Sequence, residues 1–220
     1  MGLRGIKPKG RVLCKWSPNF AYAIGLLASD GCILNDGLHI DFTSKDMEQV
    51  LNFKKALKLE GLKIGSKFGG PNSGLNTYNR IQFGDVLFLS FLREVGLTPA
   101  KSRTLGALNI PDKYFFDFLR GVFDGDGYSY SYWDKRWKSS FMFYTGFVSA
   151  SENYINWLRS KIKLFLKVKG HIDRIKAKGK RNEYFLLKFA KADSLPILKE
   201  MYKNKKSIRL SRKYLKIKET

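Results

Sequence analysis

The chain has 220 residues, of which 41 are lysine or arginine and 19 are aspartate or glutamate, so its formal net charge is +22. Because 44% of the residues are hydrophobic and 15% are aromatic, the chain can build one large or two small cores, and a basic disordered tail is excluded. A charge of this size favours a polyanionic partner, either nucleic acid phosphates or an anionic membrane surface.

Other function classes find little support in the sequence. No uninterrupted apolar run approaches the ~20 residues of a transmembrane helix, and no apolar stretch resembles a signal peptide. We therefore expect no membrane partner, and a cytoplasmic location in a prokaryote or an organellar location. Cys14 and Cys32 lack CxxC spacing and only His39 and His171 are present, so neither a zinc site nor a histidine-based nuclease site is supported. Hydrolytic chemistry would have to rest on carboxylates and lysines.

Two apolar segments match when the sequence is offset by 96 residues. They are SPNFAYAIGLLASDG at 17–31 and DKYFFDFLRGVFDGDG at 112–127. Ser17 followed by Pro18 is typical of a helix start, and Pro111 followed by Asp112 offers similar chemistry, so both segments are predicted to be helices. We expect a left-handed glycine to end each one, Gly31 in the first and Gly127 in the second.

Strands, turns and further helices follow in the same order in each half. Alternating apolar and polar residues predict strands at 38–43, 78–83, 141–147 and 183–189. Amphipathic helices are predicted at 46–59, 85–96, 152–166 and 192–203, and polar turns at 69–76 and 176–182. The insertion at 128–140 is expected to lengthen its hairpin and to extend a nucleic-acid footprint. The chain therefore divides into halves at 1–97 and 112–220 with a linker at 98–111.

The two matched helices would bring two carboxylates together if they packed side by side. Small residues four apart on one helix face would permit this approach: Gly25 with Ser29 in the first helix, and Gly121 with Gly125 in the second. Asp30 and Asp126 would then meet at helix C-termini, where they repel each other and oppose the helix dipole. A divalent metal such as Mg²⁺ would relieve this repulsion, with the carbonyls of Ser29 and Gly125 as further oxygen ligands.

A family resemblance rests on the same residues. AIGLLASDG at 23–31 and LRGVFDGDG at 119–127 resemble two copies of the LAGLIDADG motif, which names a family of homing endonucleases. Two motifs in one chain resemble the monomeric, pseudo-symmetric branch of that family, and the resemblance covers nearly the whole chain. It implies an α+β fold of two pseudo-symmetric αββαββα halves. The motif helices would pack at the interface, and two curved antiparallel sheets would form a saddle over DNA.

The resemblance also implies roles for particular residues. The eighth motif position supplies the metal-binding acid in the family, and it falls on Asp30 and Asp126. The sixth position is Ala28 in the first motif and Asp124 in the second, so we expect Asp124 to be a structural partner. The family places lysines near the metals, and the candidates are Lys101 and Lys206, which the segments KSRTL and KSIRL relate, and Lys45, whose counterpart is Ser151. For each lysine, a solvated surface position or a phosphate contact is the alternative.

Outward side chains of the strands are candidates to read bases, since a two-stranded ribbon fits the major groove. They are His39, Asp41, Arg80, Gln82, Arg174, Lys176, Tyr184 and Lys188. An exposed polar face is also what any half-buried sheet presents, so each of these is an open choice between base contact and solvation.

The resemblance implies a monomeric, site-specific homing endonuclease encoded by an intron. It would hydrolyse both strands of double-stranded DNA with Mg²⁺; Mn²⁺ can substitute, and Ca²⁺ is expected to support binding without cleavage. The alternatives are an intron RNA maturase and a non-cleaving nucleic-acid-binding protein of the same fold. An unrelated basic RNA-binding protein would explain the charge but not the repeated Asp-Gly pair.

Overall fold

A computed structural model describes residues 10–68, 77–137, 139–176 and 183–218. The first half contains α1 (Pro18–Ser29), β1 (Gly31–Ile33), β2 (His39–Ser44), α2 (Met47–Ala56), β3 (Gly65–Phe68), β4 (Thr77–Gly84) and α3 (Val86–Val95). A 3₁₀ turn (Asp112–Tyr114) opens the second half, followed by α4 (Phe115–Asp126), β5 (Gly127–Trp133), β6 (Phe141–Ser149), α5 (Glu152–Leu166), β7 (His171–Ile175), β8 (Tyr184–Ala190), α6 (Lys191–Met201) and α7 (Ser211–Lys218).

Each half builds one four-stranded antiparallel sheet with the same strand order. The orders are β1-β2-β4-β3 and β5-β6-β8-β7, so the central strands of each sheet are equivalent. Alternation explains the burial of the strands: Ile81 and Phe83 are 0% and 4% exposed, whereas Gln82 between them is exposed. The predicted α+β fold with two αββαββα halves is confirmed, and α7 follows as an additional helix. Leu38, the first residue of the strand predicted at 38–43, lies outside β2, which begins at His39, and it is 57% exposed.

The motif helices α1 and α4 pack against each other at the centre of the molecule. A Cβ built on Gly25 would lie 2.1 Å from the carbonyl oxygen of Phe118, and one on Gly121 would lie 2.1 Å from that of Tyr22. The helices therefore approach backbone to backbone, as the small residues on their faces predicted.

The helix start was predicted correctly, and the helix ends were not. The Ser17 hydroxyl accepts a hydrogen bond from the Phe20 N–H at 3.2 Å. The left-handed ending expected at both motif glycines is wrong, because Gly127 has φ −77° and Gly31 begins β1 directly after Asp30 with φ −91°. The glycines serve close packing: a Cβ on Gly31 would lie 2.5 Å from Leu27 Cδ2. Each chain segment thus turns from helix into strand immediately after its acid.

Several predicted segments lie wholly or partly outside the described residues. These are the turn at 69–76, residues 177–182 of the second turn, and Lys138 of the insertion. The described part of the insertion lengthens β5, which pairs with β6 from Gly127 opposite Phe147 to Trp133 opposite Phe141. Among the helices that the structure describes, none has the length and apolar character needed to cross a membrane.

Candidate active site

The two motif acids lie side by side where α1 and α4 end. Asp30 is the residue that caps α1, and Asp126 is the last residue of α4. A Cβ built on Gly125 would lie 2.0 Å from the Ser29 hydroxyl oxygen and 2.9 Å from Asp30 Oδ2, so the two helix ends are in contact. The close helix packing therefore delivers both carboxylates to one place.

The surroundings of the two acids disfavour their ionised forms. Both residues are exposed to solvent, yet their carboxylates lie at the crowded contact between the two helix ends. Burial, followed by the negative charge of Asp30, raises the pKa of Asp126 to about 6. Burial also raises the pKa of Asp30, although a hydrogen bond from Gln49 and the charge of Lys213 act against it. The pair consequently favours a bound cation.

One lysine donates hydrogen bonds to the backbone carbonyls at each of the two helix ends. Lys101 Nζ donates to the carbonyls of Gly31 at 2.8 Å and Ser29 at 3.4 Å. Lys213 Nζ donates to three carbonyls, those of Phe123 at 2.6 Å, Gly127 at 2.7 Å and Gly125 at 2.8 Å. Burial lowers the pKa of Lys213 to about 8, and burial likewise lowers that of Lys101 against the charge of Asp126. Each helix end thus has one ammonium at its carbonyls, while the charge of Lys101 acts more on Asp126 and the charge of Lys213 acts more on Asp30.

The structure assigns the second of these positions differently from the sequence repeat. Lys206, which the KSIRL segment paired with Lys101, is exposed, and its backbone N–H donates to Asn204 Oδ1 at 3.0 Å. Lys213 on α7 holds the equivalent position. Lys45 is exposed, and its ammonium lies 5.4 Å from the centre of the Tyr78 ring.

The oxygen atoms at the helix ends fit a hard divalent cation. Within the described residues, no three His, Cys, Asp or Glu side chains cluster, so the donor set is the Asp30 and Asp126 pair with backbone carbonyls. The Ser29 and Gly125 carbonyls, predicted as ligands, each accept a lysine hydrogen bond, and each oxygen has a second lone pair. Carboxylate and carbonyl oxygens completed by water or phosphate are the ligands that Mg²⁺ prefers.

Gln49 is a site residue that the sequence analysis did not identify. Its side-chain amide donates to Asp30 Oδ2 at 2.7 Å and to the Asp124 carbonyl at 3.3 Å, and its oxygen accepts from Ser44 Oγ at 2.6 Å. Asp46 is the N-cap of α2 and Gln49 follows three residues later, which is the spacing of a capping box. That spacing could have identified the residue, but it predicts a backbone contact at the start of α2, and the amide reaches Asp30 instead.

Asp124 is a structural residue in this arrangement. It is 1% exposed, and its Oδ2 accepts from the Tyr22 hydroxyl at 2.7 Å and from the Leu210 N–H at 2.7 Å. Nearby, Arg120 is 2% exposed and donates to the carbonyls of Met201 at 2.8 Å and Ile208 at 2.9 Å. Together they fix the segment that leads into α7 and Lys213.

A cavity of about 360 Å³ opens beside Asp126. Its lining includes Ser29 from the first half, Lys101 from the linker, and Ser149 and Tyr184 from the second half. The motif acid, a lysine and the rim of the second sheet therefore share one solvent-filled space.

The outer face of the first sheet is charged. Arg80 donates to Asp41 at 2.8 and 3.0 Å, and Lys67 lies 3.5 Å from the same carboxylate. Burial acts to raise the pKa of Asp41, but the hydrogen bonds from Arg80 and Thr43 outweigh it and hold that pKa below its usual value. Gln82 is exposed on this face, and His39 Nδ1 lies 2.6 Å from Asp36.

The outer face of the second sheet is aromatic as well as basic. Its strands present a row of parallel rings, here called the tyrosine row, with centroids 5.0–6.3 Å apart: Tyr128, Tyr130, Tyr132 and Tyr144. Lys188 lies 5.5 Å from the Tyr144 ring centre, and Tyr184 is exposed.

Two predicted base readers of the second half lie elsewhere. Arg174 pairs with Phe185 in the register of β7 and β8, so it is on the opposite face from Lys188, and it forms an ion pair with Glu183. Lys176 is exposed just beyond the end of β7.

Solved structures resemble this chain, whereas no protein-family model and no curated protein matches it. The homing endonuclease I-DmoI in complex with DNA and Mn has a TM-score of 0.53 and 10% identity, covering 85% of this chain and 97% of that one. The I-LtrWI LAGLIDADG homing endonuclease bound to target DNA has a TM-score of 0.55 and 11% identity, covering 90% and 87%.

The same fold occurs in full-length DUF199/WhiA from Thermatoga maritima, with a TM-score of 0.54 and 14% identity over 86% of this chain. This chain spans 57% of the length of that protein. At these identities the likenesses establish the architecture, and in this chain both motifs lie on the two helices that pack against each other. The chain therefore has the two-half LAGLIDADG fold that its paired sequence motifs predicted.

Proposed function

We propose that this protein is a divalent-metal-dependent endonuclease that cleaves both strands of a long, specific DNA site, with homing of an encoding intron as its role. The observation that carries the proposal is the pairing of Asp30 and Asp126 at the ends of two closely packed helices, whose end carbonyls bind one buried and one half-buried lysine. A role confined to the core would not require two acids at this close helix contact, where the pKa of each is raised.

Each residue of the site has a task in such a reaction. A divalent metal held by the two carboxylates would acidify a water and stabilise the charge that develops on a phosphodiester. Gln49 orients the Asp30 carboxylate, while Lys101 and Lys213 hold the helix-end carbonyls and balance the negative charge. Since both acids belong to one chain, we propose that the protein acts as a monomer.

The charge and the two sheets support DNA as the partner. I-DmoI and I-LtrWI, which share the fold, were solved with DNA, and this chain carries a net charge of +22. If the saddle neutralises about 8 phosphates, log affinity should fall with log salt with a slope of roughly −7.

The proposal is tested by removing the acids. Cleaved sites are first selected from a randomised DNA library in Mg²⁺. Asp30→Asn and Asp126→Asn should each abolish double-strand cleavage of that target and leave binding within a few-fold, because the sheets contact the DNA. Asp112→Asn is the matched control, since Asp112 lies at the far end of α4 and pairs with Lys161. Retained cleavage in either site variant, or cleavage in EDTA, would contradict the proposal.

Intron RNA binding is a second candidate function, favoured by the tyrosine row. Aromatic rings stack on unpaired bases, which RNA loops supply and duplex DNA does not. A splicing assay on the host intron with the Asp30→Asn, Asp126→Asn double variant separates the functions: splicing that survives the loss of both acids supports a maturase activity.

A further inference from the structure

The helix α7 depends on polar contacts for its place in the molecule. The structure describes all 8 of its residues, and none of them is buried, although Ile217 packs against the core while partly exposed. Isolated helices shorter than ~12–15 residues are marginal in water, so a helix of this length needs partners to stay folded. The contacts at the start of α7 are therefore worth examining for what they hold in place.

The first turn of α7 binds the first turn of α2, which belongs to the other half of the chain. The Glu48 carboxylate accepts hydrogen bonds from the Ser211 N–H at 3.1 Å and from the Ser211 hydroxyl at 2.5 Å. Arg212 Nε donates to the Asp46 carboxylate at 2.8 Å. Acids beside a helix N-terminus satisfy its free N–H groups and oppose the positive end of the helix dipole. Two acids of the first half thus stabilise the start of a helix of the second half.

The next residue of α7 is Lys213, which belongs to the active site. Its ammonium donates to the three carbonyls at the end of α4, at 2.6–2.8 Å. Because Ser211 and Arg212 immediately precede Lys213, their contacts with α2 fix the backbone from which the ammonium extends. The same turn of α2 also contacts the other helix end, since Gln49 donates to Asp30 Oδ2 at 2.7 Å.

We propose that Glu48 and Asp46 are positioning residues of the active site, which hold α7 so that the Lys213 ammonium stays at the end of α4. The inference rests on the proposed function and goes beyond it, because it makes the first half responsible for the order of both helix ends. The first turn of α2 orients Asp30 through Gln49 and positions the lysine of the second half through Glu48 and Asp46.

Of the two acids, Glu48 is expected to have the larger effect. In the ion pair with Asp46, the Arg212 side chain is 62% exposed, and exposed ion pairs contribute little to stability. The Glu48 carboxylate instead accepts from a backbone N–H and a hydroxyl, and hydrogen bonds to an ionised group are roughly twice as strong as neutral ones. Glu48 is therefore the residue to remove.

The test is a double-mutant cycle of Glu48→Ala and Lys213→Met. Three quantities are measured: the single-turnover rate of cleavage of the selected target in Mg²⁺, the affinity for that target, and the hydrogen–deuterium exchange of the α7 amides without DNA or metal. Glu152→Ala is the matched control. Glu152 is the acid in the first turn of α5, as Glu48 is in the first turn of α2, so both variants lose the same interaction with a helix dipole.

For Glu48→Ala we expect the α7 amides to exchange about 10-fold faster, because α7 loses its hydrogen bonds to a charged group. Cleavage should slow about 10-fold, and by no more than in Lys213→Met, while DNA affinity stays within a few-fold. In the Lys213→Met background, Glu48→Ala should cause no further loss of rate. Glu152→Ala should leave both the rate and the exchange of α7 at their wild-type values.

A loss of rate from Glu48→Ala that adds in full to the loss from Lys213→Met would mean that Glu48 does not act through this lysine. That result would overturn the inference and leave the proposed function standing. Unchanged exchange of α7 in Glu48→Ala, or an equal loss of rate in Glu152→Ala, would also overturn it. A wild-type protein that cuts no DNA in the library would overturn the proposed function, and the exchange measurement would still decide whether Glu48 holds α7.

Discussion

The two motif helices present the same backbone to each other but bury different chemistry. At positions related by the 96-residue offset, α1 has Ile24 and Ala28 where α4 has Arg120 and Asp124, and all four are at most 5% exposed. The buried residues differ because the two helices hold different chain segments in place. Arg120 and Asp124 bind the chain that leads to α7, whereas the first-half lysine follows α3 by a short connection.

This difference shows which parts of the symmetry are needed. The close glycine contact and the two acids occur in both helices, because the two carboxylates come together only if both helices pack closely up to their ends. The lysines reach equivalent carbonyls from non-equivalent positions, so their place at the site is repeated although their place in the sequence is not.

The repeated part is tested by filling the helix contact, which should have the largest effect. Gly25→Ala and Gly121→Ala each put a methyl group 2.1 Å from a helix carbonyl oxygen. Overpacking costs about 1–3 kcal/mol where side chains can yield, and more where they cannot. A backbone carbonyl at this distance cannot yield without separating the helices, so we expect little folded protein from either variant. Gly106→Ala is the control, since a Cβ there meets nothing within 4 Å. Unfolding is followed in urea; two stable variants would refute the backbone-to-backbone contact.

The different part is tested at the buried arginine. Arg120→Met leaves two buried carbonyls and the partly exposed Asp117 without their donor. Each stranded carbonyl should cost about 1–3 kcal/mol. Ile24→Val, at the equivalent position of α1, removes one methylene and should cost about 0.5–1.5 kcal/mol. The comparison is the difference in free energy of unfolding between the two variants. Equal losses would mean that the polar contacts of Arg120 stabilise the protein no more than the apolar contacts of Ile24 do.

Sequence patterns predicted the elements that depend on local rules. The motif helices, the alternating strands and the position of Asp30 and Asp126 follow from helix starts, periodicity and the repeat. Gly31 and Gly127 were recognised as special for the wrong reason, because close packing against the preceding helix turn is a tertiary property that a chain-end rule does not contain.

The parts that could not be predicted depend on long-range placement. Lys213 was not predicted because α7 has no counterpart in the first half, so the repeat does not reach it, and the KSIRL match favoured Lys206. Arg174 was placed on the wrong face because alternation gives the period of β7 but not its register against β8.

The lysine correspondence makes a prediction of intermediate size. Lys101→Met and Lys213→Met should each slow cleavage about 10–100-fold, since each removes the cation that orients one helix end. Lys206→Met should cut at the wild-type rate, which is measured on the selected target with both strands labelled. If Lys206→Met were slow and Lys213→Met normal, the sequence repeat would describe the site better than the contacts do.

The smallest effect is expected in the dependence of stability on pH. The pKa of Asp126 rises on folding from 3.8 to about 6, so the native state holds this proton more tightly than the unfolded chain. The free energy of unfolding must then decrease as the pH rises through this interval. Asp126→Asn removes the cost of ionising this carboxyl in the native state, so the variant should be more stable than wild type at neutral pH. The gain should vanish below pH 3.8, the lower of the two pKa values.

Asp30→Asn should give a smaller gain than Asp126→Asn, which again distinguishes the halves. Gln49 donates directly to Asp30 and so stabilises its ionised form, whereas Asp126 faces the charge of Asp30. Urea unfolding of the three proteins across the interval measures both gains, and differences from wild type cancel the effect of the other titrating groups. A larger gain for Asp30→Asn would reverse the electrostatic order assigned to the two acids, because the carboxylate with the direct donor would then be the less stable one.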